Sequence, residues 1–261
     1  MRASPAVGPN SGVVELQADR AESNRAWLAR AGMPAGILLL GGASLVDVRV
    51  RFAQSIVRRD LTPSSWSQAG LLLDGEHMIT VPLDGAVDPS TVPAANATRT
   101  VALDAFDDPG RYPNIAIVAF AAGGAGELAT AAEEVRRQRA LIDLPALVVA
   151  WLAYAWGVED GNPLLAGRGL PSAAFVEAAH AVAGIELTPG LASASSCPEA
   201  IWQSARWWGD YYRESARVAA AGIARSAGHA RPQVPSGFYA VRQPNAAVTI
   251  DPASDQDGTH T

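Results

Sequence analysis

The sequence predicts one α+β domain, in which an antiparallel sheet from the first half packs against helices from the second half. Two observations carry this prediction. Short apolar runs separated by glycine, proline and aspartate fill residues 37–120, whereas apolar residues at helical spacing fill residues 127–228. Strands that precede helices along the chain are typical of an α+β fold.

The first half contains one helix pattern and then a series of strand patterns. AESNRAWLARAG predicts a short helix that ends at Gly32. GILLLGG predicts a buried strand at residues 37–40, and the apolar alternation in LVDVRVRF predicts another at residues 45–52. Asp74-Gly75 lies between two apolar runs and predicts a hairpin. TVALDAF and NIAIVAF predict further strands.

Four helices are predicted in the second half. They occupy residues 127–141, 144–156, 171–184 and 198–228. The third begins at Pro171-Ser172 and ends at Gly184, which are typical start and stop signals. SGFYAVR, close to the C-terminus, predicts one last strand.

These patterns also divide the chain into segments. Residues 1–20 are expected to form a flexible arm, because they mix proline, glycine and serine with few large apolar groups. Residues 21–243 are expected to form a single domain. Residues 244–261 are polar and are expected to form a disordered tail.

Composition excludes several classes of function. The chain has 261 residues, of which 49% are hydrophobic, and this suits one sizeable core. The net charge of −6 argues against nucleic acid as a partner. All 20 basic residues are arginine, which excludes a Schiff-base lysine and a Walker-type phosphate site. Cys197 is the one cysteine, so no intrachain disulfide is possible, and we expect a small buried hydrophobe there.

The sequence shows no targeting, membrane or metal pattern. The first 12 residues lack the apolar core of a signal peptide. The most apolar segment, residues 144–158, is shorter than the roughly 20 residues that span a bilayer, so no transmembrane segment is expected. A cytoplasmic location is the prediction, with export by a non-classical route left open. No H-E-x-x-H motif or histidine–aspartate cluster occurs, so neither a metal nor a cofactor is predicted.

Three short segments carry the pattern most relevant to function. SQAGL at residues 67–71 lies on the predicted strand before the hairpin, SAAFV at residues 172–176 opens the third predicted helix, and AGIELTP at residues 183–189 follows it. Together they resemble the circularly permuted NlpC-type papain-like hydrolases, a group that includes lecithin–retinol-acyltransferase-like enzymes. In that family a strand carries Ser-His-x-Gly before an apolar residue, and a later helix opens with Cys-Ser-x-Phe-Val. The histidine is the base and the cysteine is the nucleophile.

The resemblance implies a papain-like fold over residues 35–210, but with both catalytic positions replaced. Gln68 stands where the family has histidine, and Ser172 stands where it has cysteine. A helix N-terminus and a neighbouring imidazolium favour a cysteine thiolate, whereas a serine hydroxyl needs a general base. Gln68 accepts no proton at physiological pH and can only form hydrogen bonds, including those of an oxyanion donor.

The histidines of the chain are predicted to lie away from Ser172. His180 is expected about 12 Å along the helix axis. His77 is expected about 13 Å along the strand from the position opposite Gln68. His229 follows a long helix and His260 lies in the predicted tail, so none of the four is a convincing base.

The candidate residues also have purely structural interpretations. Ser172 after Pro171 is typical of a helix N-cap, and Gln68 beside Trp66 is typical of a buried hydrogen-bonding group. Aromatic residues of the fourth predicted helix suit either core packing or a partner-binding or dimer surface. The candidate binding residues are Trp66, Trp207, Trp208 and Tyr211.

Three functions are compatible with these features. The leading hypothesis is a catalytically degenerate papain-like domain that binds a protein, peptide or small molecule. The second is an amide or ester hydrolase or acyltransferase acting on a peptide, cell-wall or lipid substrate, with Ser172 as nucleophile, Gln68 as oxyanion donor and an unidentified base. The third is a structural subunit of a larger assembly, such as a homo-oligomer.

Overall fold

The computed structural model describes residues 13–15, 22–31, 35–83, 95–120, 125–220 and 237–241. Within these residues the chain is α+β, as predicted. The strands are β1 (Val13–Glu15), β2 (Gly36–Gly41), β3 (Gln68–Leu72), β4 (His77–Thr80), β5 (Arg99–Ala102), β6 (Asn114–Phe120) and β7 (Gly237–Val241). The α-helices are α1 (Asn24–Ala31), α2 (Leu45–Ala53), α3 (Ala125–Arg137), α4 (Leu144–Ala155), α5 (Pro171–Val182) and α6 (Pro198–Ala220).

The strands form one sheet with the order β1-β7-β6-β2-β3-β4-β5. The predicted hairpin is confirmed: Asp74-Gly75 joins β3 to β4, and Leu71 pairs with Ile79. The last strand, predicted at SGFYAVR, is confirmed as β7, so the sheet contains a strand from the end of the chain as well as those from the first half. One part of the sheet prediction is wrong: the sheet is not wholly antiparallel, because β1 and β7 are parallel. β7 comes from the end of the chain and pairs with β6, where it covers backbone groups that would otherwise form an open edge.

Both faces of the sheet are buried. Ile37 and Leu39 of β2 pack into the cluster that includes α5, whereas Leu38 and Leu40 pack into a second cluster with Trp27 of α1. Successive side chains of a strand point to opposite faces, so a strand covered on both sides is apolar throughout. This explains the uninterrupted GILLL run.

The predicted strand at residues 45–52 is wrong, because the structure has helix α2 there. The Ser44 hydroxyl accepts a hydrogen bond from the backbone N–H of Asp47 and in turn donates to the Asp47 carboxylate at 2.6 Å. This reciprocal cap satisfies an N–H group that has no partner inside the helix, and it starts the helix at Leu45. Val46 and Val50 are four residues apart, a spacing that also suits one helix face.

Helix α5 lies in the centre of the core. All ten residues from Pro171 to His180 are buried, which is typical of a helix enclosed on every side. The segment before it is held by hydrogen bonds from the Gly169 N–H to Ala194 O at 2.7 Å and from the Leu170 N–H to Ser196 O at 2.8 Å. The start of α5 therefore has a fixed position against the segment that leads into α6.

Some sequence predictions concern segments that are described only in part. Of residues 1–20, predicted to be a flexible arm, residues 13–15 are described and form β1. The rest of that arm and the predicted tail at residues 244–261 lie outside the described residues. Among the helices of the described ranges, none combines the length and the apolar composition that crossing a membrane requires.

Candidate functional site

The two segments that carry the sequence motifs meet in the structure. Ser172 is the second residue of α5, and its hydroxyl oxygen accepts a hydrogen bond from the backbone N–H of Ala69 at 3.2 Å. Ala69 lies on β3 directly after Gln68. Ser172 and Gln68 both line one cavity of about 450 Å³. The two positions that the sequence resemblance singles out therefore lie at the same site.

Ser172 is not the N-cap of its helix, so that interpretation is wrong by two positions. Leu170 has the extended backbone of the cap residue (φ −68°, ψ 129°), and Pro171 is the first helical residue. The Ser172 side chain bonds across to β3 instead of to its own helix, and the residue is 2% exposed. Its hydroxyl is thus part of the contact between α5 and the sheet.

The Gln68 side chain is held by a neighbouring strand. Its Nε2 donates to the Thr80 hydroxyl at 3.1 Å, and that hydroxyl donates to the carbonyl of Ala69 at 2.6 Å. Gln68 is half-buried and lies in the cavity lining. The amide is therefore oriented by β4 and can act only as a hydrogen-bonding group.

Neither described histidine lines the cavity. His180 is buried within α5, where its Nδ1 lies 2.8 Å from Val176 O, and burial lowers its pKa to about 4. His77 is exposed on the hairpin, with its Nδ1 2.9 Å from an Asp74 carboxylate oxygen. His229 and His260 lie outside the described residues. Within the described part of the chain, Ser172 has no imidazole to take its proton.

Asp47 is the one carboxylate of the described cavity lining. Its two oxygens accept hydrogen bonds from the Ser67 and Ser44 hydroxyls, each at 2.6 Å. Both carboxylate oxygens are therefore engaged by neighbouring hydroxyl groups. Sequence reasoning missed Asp47 because it assigned the segment to a strand, although Ser44-x-x-Asp47 is a helix-start signal that could have revealed it.

The remaining lining combines two guanidinium groups with apolar walls. Arg99 comes from β5 at the edge of the sheet, and Arg111 comes from the loop before β6. The apolar lining residues are Val46, Val50, Val81, Pro82, Leu83, Val101, Ala105, Phe106 and Trp156. Trp156 is also 61% exposed, so the cavity reaches solvent beside it.

The start of α5 adds a positive potential to this site. Its N-cap residue, Leu170, has no side chain that can accept a hydrogen bond, and its first turn contains no acidic residue. Partial positive charge accumulates at a helix N-terminus and favours an anion there when no capping group neutralises it. Ser172 at this terminus lines the cavity, so the field acts inside it.

The candidate binding tryptophans lie in different places. Trp66 is fully buried and packs edge-to-face on Trp202, with ring centroids 5.2 Å apart, so it contacts the core and not the cavity. Trp207 is 56% exposed and Tyr211 is 50% exposed, and their rings stack at 5.6 Å. Trp208 contacts both of these rings. These three aromatic residues lie on α6 and do not line the cavity.

Cys197 is a buried residue, as predicted. It is 1% exposed, and burial raises the pKa of its thiol to about 12. A thiol in that state has almost no thiolate at neutral pH, so it is not a nucleophile.

Comparisons with known proteins returned no family model, no curated protein and no solved structure that matches the chain. The chemistry of the cavity is therefore what indicates a function. It offers hydrogen bonds from Gln68, a positive potential from α5 and two arginines, and apolar walls. These are properties of a binding site.

Proposed function

We propose that the chain is a catalytically degenerate papain-like domain of the permuted NlpC type, which binds a ligand in this cavity without cleaving it. One observation supports the proposal above all. Ser172 and Gln68 line the same cavity, and no histidine is among the described residues around it. The two positions that the resemblance assigns to a catalytic dyad lie together, but no imidazole is among the described residues that line the cavity.

The chemistry of Ser172 explains why cleavage is not expected. A serine hydroxyl attacks a carbonyl only when a base removes its proton as the bond forms. Gln68 has no basic atom, and the carboxylate of Asp47 already accepts two hydroxyl hydrogen bonds. The Ser172 oxygen also accepts from the Ala69 N–H, which withdraws electron density from the atom that would attack.

The shape and lining of the cavity support binding. A volume of about 450 Å³ is within the range of roughly 300–1,000 Å³ typical of small-molecule sites. Its walls combine apolar side chains with polar groups from the start of α5, from α2 and its cap, from the start of β3, and from β5 and the loop before β6. Such a lining binds the body of a ligand by burial and orients it through the polar groups.

A serine-reactive probe tests the proposal directly. The full chain is treated with a fluorophosphonate and analysed by intact-mass spectrometry, with a known serine hydrolase as positive control and Ser172→Ala as the matched variant. We expect no labelling of wild type above the level of the variant. Stoichiometric labelling of wild type that disappears in Ser172→Ala would show an active serine nucleophile and would overturn the proposal.

An interaction surface on α6 is a second candidate function. The stacked and half-exposed pair of Trp207 and Tyr211 favours it, because large aromatic side chains are enriched at protein interfaces. Whether this surface binds a second copy of the chain is tested by light scattering during size-exclusion chromatography. A dimer that Trp207→Ser dissociates would support a homo-oligomer, and a monomer at all concentrations would exclude it.

A further inference from the structure

We infer that the ligand of this cavity is an amphipathic monoanion: a carboxylate on an apolar body, with the carboxylate bound by Arg111. The inference rests on the proposed function, since it names the class of ligand for the same cavity. It follows from the balance of charge in the lining and from the nature of the remaining walls.

Arg111 provides the anchor. Its guanidinium lies 5.4 Å from the centre of the Tyr112 ring, and no described carboxylate forms an ion pair with it. Its backbone is fixed, because its carbonyl accepts a hydrogen bond from the Ala43 N–H at 3.0 Å, next to the start of α2. The planar guanidinium matches a carboxylate through two parallel hydrogen bonds, and the aromatic ring holds its plane in place.

The negative charge in the lining is already balanced. Asp47 accepts hydrogen bonds from two hydroxyls, and it interacts electrostatically with the buried guanidinium of Arg51. Arg51 is 4% exposed, and its Nε donates a hydrogen bond to Ser64 O at 2.7 Å. Its charge therefore lies in the protein interior and not at the cavity surface. Among the described lining residues, the guanidinium of Arg111 is therefore a positive charge without a carboxylate partner.

The helix start reinforces the same preference. No acidic residue and no capping side chain neutralises the N-terminal end of α5 at Ser172. The apolar part of the lining, which includes Val81, Leu83 and Val101, has no polar side-chain atoms to bind an anion. An ion placed against those walls would lose its hydration without compensation, whereas an alkyl or aliphatic group would be stabilised there.

Two natural sources share this chemistry, namely a free fatty acid and the C-terminal residue of a peptide. Isothermal titration of the full chain with octanoate and with N-acetyl-leucine distinguishes them. Octanol and N-acetyl-leucine methylamide are the uncharged counterparts, and octyl phosphate tests a different anion. We expect one of the two acids to bind, and its uncharged counterpart to bind about tenfold or more weakly, as expected for a charge-assisted pair.

Variants of Arg111 test whether this residue binds the carboxylate. Arg111→Gln should weaken binding of the acid about tenfold or more, and Arg111→Lys should lose less affinity. Arg59→Gln removes the same charge from an exposed position outside this cavity and should leave affinity unchanged. Equal unfolding midpoints of the three variants and wild type show that the fold is intact.

The outcomes separate this inference from the proposed function. Equal binding of acid and uncharged analogue, tighter binding of octyl phosphate, undiminished binding by Arg111→Gln, or no binding of either acid at millimolar concentration would each overturn the monoanion inference. None of these results adds a catalytic base to the site, so the absence of catalysis is judged separately, by the fluorophosphonate experiment.

Discussion

The Ser172 hydroxyl oxygen accepts a hydrogen bond from the Ala69 N–H at 3.2 Å, joining residues that are 103 positions apart in the chain. This bond sets the start of α5 against β3 and places Gln68 beside the same cavity. A nucleophile and a base at these two positions would face a common substrate. The geometry therefore allows a restoration experiment.

The double variant Gln68→His/Ser172→Cys should contain a reactive thiol. A neighbouring imidazolium and a helix N-terminus both stabilise a thiolate, so alkylation by iodoacetamide at pH 6 should be about tenfold or more faster than in Ser172→Cys alone. Wild type, whose one thiol is Cys197, gives the background rate. Equal rates in the single and double variants would show that positions 68 and 172 do not interact in solution.

Gly169→Ala should destabilise the domain. An added Cβ would lie 2.3 Å from Ser196 O and 2.6 Å from Ser196 N, both backbone atoms in the segment that leads into α6. Crowding of this kind costs about 1–3 kcal/mol in the free energy of unfolding, measured by urea denaturation. Gly161→Ala is the matched control, because no atom lies within 4 Å of its added Cβ. Equal losses in the two variants would contradict the packing described before α5.

His180 should make stability depend on pH in the mildly acidic range. Its pKa is about 4 in the folded protein, below the ordinary value of 6.5, because burial disfavours the imidazolium. The unfolded chain therefore takes up a proton first as the pH falls. The free energy of unfolding should decrease from about pH 6.5 to pH 4, by about 3 kcal/mol in all.

The comparison of His180→Gln with wild type isolates this contribution. The variant should lack the decrease, as measured by denaturation at a series of pH values, and the exposed His77→Gln should retain it. Burial raises the pKa of Glu177, which stabilises the folded state as the pH falls and so acts in the opposite direction. Glu177 is present in every protein of the series, so its effect cancels. A His180→Gln profile parallel to wild type would be inconsistent with a buried neutral imidazole.

Cys197 should be inert in the native protein. Ellman's reagent should report no thiol under native conditions and one thiol per chain in guanidinium chloride, because burial raises the thiol pKa to about 12. Rapid modification of the native protein would mean that the segment before α6 opens on the timescale of the assay.

Much of the fold could be predicted from sequence because its signals are local. Asp74-Gly75 specified the hairpin, and Pro171 and Gly184 marked the limits of α5. The segment at residues 45–53 could not be assigned from its pattern alone. Its valines satisfy a two-residue period, and Val46 and Val50 also satisfy a helical one, so the Ser44 cap decides between the two.

The site was predictable only where a motif marked it. The resemblance of the SQAGL and SAAFV segments to the strand and helix motifs of the NlpC-type family led to Gln68 and Ser172. Arg99 and Arg111 belong to a strand edge and a loop, and only the folding of the sheet brings them to the same cavity as Ser172. No local pattern distinguishes them from the other arginines of the chain, because their role depends on tertiary position.

Under the proposed binding function, the burial of α5 from Pro171 to His180 also determines which part of the cavity would adapt to a ligand. That helix lies between β3 and α3, so the floor of the cavity at Ser172 cannot shift without separating the sheet from the helices. The floor of the cavity would therefore have the same shape before and after a ligand binds. The entropic cost of ordering would fall on the exposed rim, where Trp156 lies. The cavity floor should therefore be the same in the empty and occupied forms, and the rim should differ between them.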